Sequence, residues 1–317
     1  MALYRFETIT AAQAMSYTGS SDSLAFDPGS LIELNLAYIP SPEQVAITFN
    51  GRTVNFGAGI YGDLDVKFAG GGTFFIGGGA AENVAGGAVD DVLFGGVGDD
   101  TLSGGDGSDR LQGNQGADSL AGGAGADTVY GGQDNDVIAL GAGSDAANFS
   151  NGNKGDDTIT ALSGLSTLLG GQGNDMLNGG PGAEILNGNL GDDILNGGGG
   201  RDLLLGEGGA DIFVFLTAAS AMTEDGADRI IGWSPLDRIS LPVKGGYSEY
   251  GSVVGDFATA ELAGHNTMMP DPNQHILAVQ VNADVIVFAD TDGDLMPDLA
   301  IILVGADLNA LDASNFV

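Results

Sequence analysis

Acidic side chains recur every nine residues through the middle of this 317-residue chain. In windows of nine that begin at Gly77, eight follow one another without a gap, residues 149–151 interrupt, and seven more run from Gly152 to Val214. The sixth position is a carboxylate in fourteen of the fifteen windows and is Ser166 in the other. Carboxylates at a fixed short period are suited to bind hard metal ions.

The candidate metal ligands are the sixth-position aspartates and the turn glycines, whose backbone carbonyls can approach an ion closely. They are Asp91, Gly95, Gly96, Gly98, Asp100, Gly104, Gly105, Gly107, Asp109, Gly113, Gly116, Asp118, Gly122, Gly123, Gly125, Asp127, Gly131, Asp136, Gly143, Asp145, Asp157, Gly170, Gly173, Asp175, Gly188, Gly191, Asp193, Gly197, Asp202 and Asp211. Oxygen ligands with neither cysteine nor histidine nearby favour calcium over zinc or copper. If each ion bridges windows two apart, we expect on the order of ten calcium ions.

The eighth position of every window is apolar, from Val84, Leu93 and Leu102 to Leu204 and Phe213. A short strand centred there points one side chain inward and its two neighbours outward. Glycines at the first, second and fourth positions supply the tight turns between strands. The pattern therefore predicts an all-β fold, a right-handed parallel β-roll with alternate windows on opposite sides.

Successive turns of such a roll place like positions about 4.8 Å apart. Two carboxylates at about 5 Å repel by roughly 3 kcal/mol at an effective dielectric constant of about 20. The whole chain has 43 acidic and 9 basic residues, for a formal charge of -34. We therefore expect calcium binding and folding to be one coupled event, and we expect neither nucleic acid nor a membrane surface as partner.

The windows resemble the repeat-in-toxin (RTX) family, whose nonapeptide is written G-G-x-G-x-D-x-U-x. The resemblance covers residues 77–214 and implies a calcium β-roll that a type I secretion apparatus exports directly. The pattern is irregular at Ala161–Leu169 and at Phe149–Asn151, where no regular site is expected.

The tail resembles the C-terminal cap of serralysin-type RTX proteins. The matching runs are 209–215, 228–233, 236–241, 285–288 and 299–305. The ending Asn315-Phe316-Val317, with Asp312 before it, is similar to the family's export signal, whereas the start of the chain lacks the apolar stretch of a cleavable signal peptide. No run approaches 18 apolar residues, so no transmembrane segment is expected. The resemblance implies a secreted protein, extracellular or on the surface of a Gram-negative bacterium.

The sequence suggests three domains: an N-terminal β-rich unit at 1–76, the roll at 77–214, and a β-rich cap at 215–317. In the first, Thr10 and Gln13 fit a capping box that opens a short helix. Alternating apolar residues predict strands at 32–38, 45–49 and from Val54, with a hairpin turn at Asn50-Gly51.

A second candidate metal site lies in the tail. Asp290, Asp292, Asp294 and Asp298 stand at positions 1, 3, 5 and 9 of a calcium-type loop, but no glutamate follows at position 12. The alternative interpretation is a polar turn between two strands.

The sequence shows no recognisable catalytic motif. The two histidines, His265 and His275, form no H-E-x-x-H pair, and there is neither a G-x-S-x-G motif nor a cysteine. His265 follows a predicted short helix at 257–262, and Trp233 is interpreted as a core aromatic. Paired carboxylates of the kind that glycosidases use stay open as an alternative. We therefore expect a protein that is not an enzyme.

Two functional hypotheses remain. The first is a calcium-hardened structural protein of a surface layer or extracellular matrix, which assembles with copies of itself or a cell-surface polysaccharide. It depends on outward apolar side chains at position seven: Met176, Ile185, Ile194, Leu203 and Ile212. These side chains have an alternative explanation, namely cover by another part of the same chain. The second hypothesis is an adhesin, ligand-binding protein or enzymatic effector whose activity lies in residues 1–76, with the roll serving export.

Overall fold

The structure is a computed structural model. It describes residues 71–141, 147–162, 164–216, 222–242, 246–253, 256–260, 274–294 and 297–317, together with six strands before residue 71. These residues are nearly all in strands, turns and loops, as the predicted all-β class requires. The described chain divides into two compact units, Met1–Ile138 and Ala139–Val317.

The first unit begins with six strands in two small sheets. They are β1 (Ala2–Arg5), β2 (Asp22–Phe26), β3 (Asn35–Pro40), β4 (Glu43–Phe49), β5 (Arg52–Gly57) and β6 (Lys67–Phe68). Strands β1, β2 and β6 pair in parallel, and β3, β4 and β5 pair antiparallel. Phe49 lies opposite Arg52, which agrees with the predicted hairpin. The helix predicted after Thr10 lies outside the described residues.

The roll in the first unit has eight strands. They are β7 (Phe74–Ile76), β8 (Asn83–Gly87), β9 (Val92–Val97), β10 (Thr101–Asp106), β11 (Arg110–Gln115), β12 (Ser119–Ala124), β13 (Thr128–Gln133) and β14 (Val137–Ala139). Odd-numbered strands form one sheet and even-numbered strands the other. All pairs described in register are parallel with partners 18 residues apart, such as Leu93 with Leu111 and Leu102 with Leu120. The predicted parallel β-roll is confirmed.

The second unit continues the same pattern and adds a cap. Its roll strands are β15 (Phe149–Lys154), β16 (Thr158–Thr160), β17 (Thr167–Gln172), β18 (Met176–Asn178), β19 (Ile185–Leu190), β20 (Ile194–Asn196), β21 (Leu203–Gly208), β22 (Ile212–Val214), β23 (Asp228–Ile231) and β24 (Arg238–Ser240). The cap adds β25 (Gly246–Val253), β26 (Gln274–Val281), β27 (Asp284–Ala289) and β28 (Leu299–Val304), with 3-10 helices at Leu308–Ala310 and Ala313–Asn315. Residues 257–260 are helical, in agreement with the helix predicted to start there.

The cap is built onto the odd-numbered sheet. Strand β28 pairs in parallel with β23, and β27 and β26 follow antiparallel. Their buried side chains form a cluster that includes Phe257, Leu277, Ile286, Phe288 and Ile302. The cap therefore has its own apolar core.

The eighth-position side chains form the core of the roll. Those with at most 1% exposure are Leu93, Leu102, Leu111, Leu120, Val129, Ile138, Ile159, Leu168, Leu177, Leu186, Leu195, Leu204 and Phe213. In strands such as β11 and β19 the side chains on either side of them are more exposed, as strand alternation requires, whereas Val92 and Phe94 beside Leu93 are also buried. Val84 is also buried.

The structure contradicts the break that the sequence register placed at residues 149–151. Residues 149–151 do not interrupt the roll but form the start of β15, in which Ser150 pairs with Leu168. Asn148 and Ser150 are buried in the sixth and eighth positions of this turn. Ala147, expected in the core, is exposed. A fixed nine-residue register does not reveal the position of a three-residue insertion when the residues beside it still have the types that the pattern expects.

Ser150 places a hydroxyl in the apolar core. Its side chain is 0% exposed, and its Oγ finds no hydrogen-bond partner within the described structure. We expect Ser150→Ala to raise the free energy of unfolding by about 1 kcal/mol, because it removes a buried polar group that lacks a partner. Leu168→Ala, at the paired position of β17, should instead lower it by about 2–5 kcal/mol. Urea denaturation in excess calcium measures both, and destabilisation by Ser150→Ala would show that the hydroxyl has a stabilising partner.

Candidate metal site

The sixth-position acids line the two edges of the roll as columns. We call the column before the even-numbered strands the even column and the other the odd column. In the first unit the even column is Glu82, Asp100, Asp118 and Asp136, and the odd column is Asp91, Asp109 and Asp127. In the second unit the even column is Asp157, Asp175, Asp193, Asp211 and Asp237, and the odd column is Asn148, Ser166, Glu184, Asp202 and Asp228. Every aspartate in these columns is at most 2% exposed.

One carboxylate oxygen of nearly every aspartate in the columns accepts an N–H from the backbone of the preceding turn. Asp109 Oδ1 accepts the N–H of Asp91 at 2.7 Å, and Asp118 Oδ1 accepts that of Asp100 at 2.8 Å. The second unit repeats the contact, since Asp193 Oδ1 accepts the N–H of Asp175 at 2.8 Å. This ladder holds each carboxyl group in one orientation along the edge.

The other carboxylate oxygen is buried without a hydrogen-bond partner in the described part of the chain. This holds for Oδ2 of Asp91, Asp100, Asp109, Asp118, Asp175, Asp193, Asp202 and Asp211, and for both carboxyl oxygens of Glu184. A buried acceptor without a donor costs about 1–3 kcal/mol, and more when it is charged. So many repeated cases indicate that a cation belongs there.

First-position glycines provide space beside these oxygens. A Cβ atom on Gly95 would lie 2.3 Å from Asp100 Oδ2 and 2.8 Å from the carbonyl oxygen of Gly113. On Gly104 the corresponding distances are 2.1 Å to Asp109 Oδ2 and 2.6 Å to the carbonyl oxygen of Gly122. A carboxylate and a peptide carbonyl therefore converge at the same point in successive turns, and both are calcium-type ligands.

Backbone conformation explains why glycine recurs elsewhere in the turn. The fourth-position Gly98 has φ 125° and the second-position Gly96 has φ 108°, in a region that other L-residues rarely adopt. Asparagine replaces glycine at position two in Asn114, with φ 84°, because its short polar side chain tolerates the left-handed region.

The electrostatics of the columns oppose ionisation without a cation. Burial raises the pKa of Asp109 to about 7, with further contributions from the charges of Asp127 and Asp91. Burial likewise raises the pKa of Asp118, Asp175, Asp193 and Asp211 to about 6. The pKa of Glu184 rises to about 8, because of burial and then the charge of Asp202. A divalent ion between turns would reverse this penalty.

The odd column of the second unit is incomplete. Its first two members, Asn148 and Ser166, carry no charge, and Asp145 and Gly143, which the sequence register assigned to this turn, lie outside the described residues. Within this unit the even column has a carboxylate at every turn, whereas the odd column begins only at Glu184. The two edges therefore differ in their capacity for cations.

Two column members fall outside the nine-residue pattern of the sequence. Asp202 donates its N–H to Asp228 Oδ1 at 2.7 Å, and Asp211 donates to Asp237 Oδ1 at 3.2 Å. Asp237 Oδ2 also accepts the N–H of Ser234 at 2.7 Å, so both its oxygens are used. The available signal was the shared run Asp-Arg-Ile, at 228–230 and 237–239, which keeps an acid two residues before an apolar core position.

The loop at Asp290 has a different geometry. Ligand atoms of Asp290, Asp292 and Asp294 lie within 4.8 Å of one another. Asp290 Oδ1 accepts the N–H of Gly293 at 2.7 Å and its Oδ2 lies 3.0 Å from His275 Nδ1. Asp298 is turned toward Thr291, whose hydroxyl donates to it at 2.7 Å. These contacts describe a hydrogen-bonded turn, and a calcium ion at this loop stays a prediction.

The roll and its acid columns define a class of protein, the calcium-binding repeat protein with a parallel β-roll. The sequence at 76–111, 112–147, 151–183 and 178–213 matches the family model of the RTX calcium-binding nonapeptide repeat, in four copies. This segment therefore carries calcium-binding nonapeptide repeats of the RTX type.

The chain is also similar to part of a known enzyme. The solution structure of the AlgE6R3 subunit from the Azotobacter vinelandii mannuronan C5-epimerase is 29% identical, covers 48% of this chain and 77% of that chain, and superposes with a TM-score of 0.34. No curated protein matches the sequence. In the described part of the chain, no helix is both long and apolar enough to cross a membrane.

The converging oxygens give a direct test of the ligand geometry. We expect Gly104→Ala to lower the number of bound calcium ions by about one and to weaken the binding of the rest, because the methyl group would occupy the space between Asp109 Oδ2 and the Gly122 carbonyl. Gly79→Ala is the matched control, since no atom lies within 4 Å of its Cβ position. Calorimetric titration and metal analysis measure both variants. Equal calcium content in the two would contradict this ligand assignment.

The raised pKa values predict the pH dependence of the calcium-free chain. A carboxyl group whose pKa rises from 3.8 to about 7 on folding, as for Asp109, binds its proton more tightly in the folded state. Its contribution to stability is therefore fully present below the unfolded value and is lost as pH rises through the folded value. In chelator, circular dichroism should show the β-structure decreasing as pH rises from 5 to 8, whereas calcium affinity should increase over the same range.

A matched pair of variants separates this effect from the general acidity of the chain. Asp109→Asn removes a buried titrating group and should flatten the pH dependence. Asp106→Asn removes the same charge from an exposed position in the same turn and should leave the dependence nearly unchanged. If the two variants respond alike, the buried columns do not control it.

Proposed function

We propose that this chain is a secreted RTX protein that folds on calcium binding and serves as a non-catalytic structural component of a bacterial surface layer or extracellular matrix. The observation that carries the proposal is the pair of columns of buried carboxylate oxygens without partners. Their burial is unfavourable without a cation and favourable with one. Calcium at the outside of a cell would then switch the exported chain from an unfolded to a rigid form.

The sixth-position aspartates and the first-position glycines would hold the ions. Each site would take one carboxylate oxygen that the ladder leaves free and complete its shell with backbone carbonyls. Within the described residues, Asp290, Asp292 and Asp294 form the one group of three acids close enough to share an ion, so carbonyls must supply most ligands in the roll. On the order of ten ions is the expected number.

Outward apolar side chains support a role in assembly. Met176, Ile194 and Ile212 share the outer face of the even-numbered sheet, and Ile185 and Leu203 share that of the odd-numbered sheet. The exposed fractions of Met176 and Ile185 are 42% and 43%. Exposed apolar side chains aligned across strands favour contact with another surface, and a second copy of the chain would present the same faces.

Calcium titration of the purified chain tests both parts of the proposal. Circular dichroism should show β-structure appearing with calcium, and light scattering after size exclusion should show ordered assemblies at the same concentrations. Magnesium, which dehydrates reluctantly and requires octahedral geometry, should be much less effective. Folding without assembly would contradict the structural role, and no gain of β-structure would contradict calcium-coupled folding.

Variants of the outer face distinguish specific assembly from aggregation. We expect Met176→Lys to reduce the assemblies without affecting calcium-induced folding, because its side chain lies outside the core. Thr158→Lys is the matched control, since Thr158 pairs with Met176 in the same sheet and presents no apolar group of comparable size. Loss of assembly in both variants would indicate a general effect of charge.

A further inference from the structure

The cap contains a cavity that the calcium columns do not explain. It has a volume of about 180 Å³ and is partly open to solvent. At about 30 Å³ per water molecule, this volume corresponds to roughly six waters. It is small beside pockets for extended ligands, which have volumes of about 300–1,000 Å³. The cavity is therefore suited to a single small ring.

The apolar side of the cavity belongs to the core of the cap. Phe257, Ile286 and Ile302 line it, and all three are part of the same buried cluster. Phe257 packs edge-to-face on Phe288, with ring centroids 5.9 Å apart. Because these side chains are fixed by packing, this apolar surface is preformed.

Arg229 supplies the cavity with a fixed positive charge. It lies on β23 in the middle of the sheet, with Leu203 on one side and Ile302 on the other. Its Nε is buried, and no hydrogen-bond partner for it exists among the described residues. A guanidinium group stays charged and offers five N–H donors in a planar fork. A ligand that accepts hydrogen bonds would satisfy this donor.

Three carboxylates line the same cavity. They belong to Glu224, Asp256 and Asp284. Asp256 Oδ1 accepts both the N–H and the hydroxyl of Thr259, at 3.0 and 2.9 Å, and Asp284 Oδ1 accepts the N–H of Gly305 at 2.8 Å. These bonds orient the two aspartates and leave their second oxygens for a ligand that donates.

The charges select the class of ligand. Three carboxylates and the formal charge of -34 disfavour an anion. A ligand that only donates hydrogen bonds, such as an ammonium ion, would leave the buried Nε–H of Arg229 without an acceptor. A neutral molecule that both donates and accepts hydrogen bonds, and has apolar C–H groups, suits all of these surfaces. We propose that the cavity binds a neutral sugar ring, with Arg229 donating to its oxygens, the carboxylates accepting from its hydroxyls, and the apolar residues contacting its C–H face.

The test uses the full, calcium-loaded chain. D-glucose, D-galactose and D-mannose are the neutral probes, D-glucuronate is the anionic probe and D-glucosamine the cationic one. Saturation-transfer NMR and calorimetry should show millimolar binding of at least one neutral sugar and weaker binding of both charged sugars. If no neutral sugar binds, or if only a charged sugar binds, the inference is wrong.

Variants assign the binding to this cavity. Arg229→Met should weaken binding of the neutral sugar by about tenfold or more, as expected for a lost charged hydrogen bond, while Arg201→Met, at an exposed arginine of the roll, should leave binding unchanged. Glu224→Gln changes an exposed side chain that folding does not need, and should also weaken binding. Unchanged affinity in both cavity variants would overturn the inference. Circular dichroism of the same samples reports calcium-induced folding separately, so failure of one proposal does not imply failure of the other.

Discussion

The structure depends on how like charges are arranged along a stack of short parallel strands. Most turns of the roll place an acidic side chain directly beside that of the next turn on the same edge. The ladder from Asp91 N–H to Asp109 Oδ1 and onward holds these groups inward, so they cannot turn away to solvent. The roll therefore concentrates negative charge where water is excluded, and a cation between the turns makes this arrangement favourable at pH values where the acids are ionised.

Glycine and aspartate have complementary roles in this arrangement. The volume that a side chain would occupy at Gly95 or Gly104 is bounded by a carboxylate oxygen and a peptide carbonyl. The glycines thus permit the chain turn and the close approach of these oxygens at the same time. The column ends where this relation between glycine and carboxylate changes. Asp237 has its second oxygen occupied by the Ser234 N–H, and the cap strands that follow have an apolar core of their own.

The cap also shows how the side chains of the roll pattern change at its end. The positions that carry Ile212 and Leu203 on the roll strands β22 and β21 carry Arg238 and Arg229 on β24 and β23. In β23 this change brings a guanidinium group next to Ile302 and into a cavity with three carboxylates. The same outward position is apolar from β18 to β22 and basic on β23 and β24.

Much of this protein follows from the sequence alone. A nine-residue period with an acid at position six and an apolar residue at position eight is sufficient for the roll, its core and its columns of acidic side chains, because every repeat has only its neighbours to pack against. The register around residues 142–151 does not follow from the sequence. Asp145 and Ala147 have the residue types expected at positions six and eight, whereas the structure has Asn148 and Ser150 at these positions. Only strand pairing with β17 decides between them. Likewise, the position-seven side chains divide between two faces, and one cavity brings together Arg229, Glu224, Asp256 and Asp284. Both features depend on contacts between residues far apart in the chain, which a local pattern does not contain.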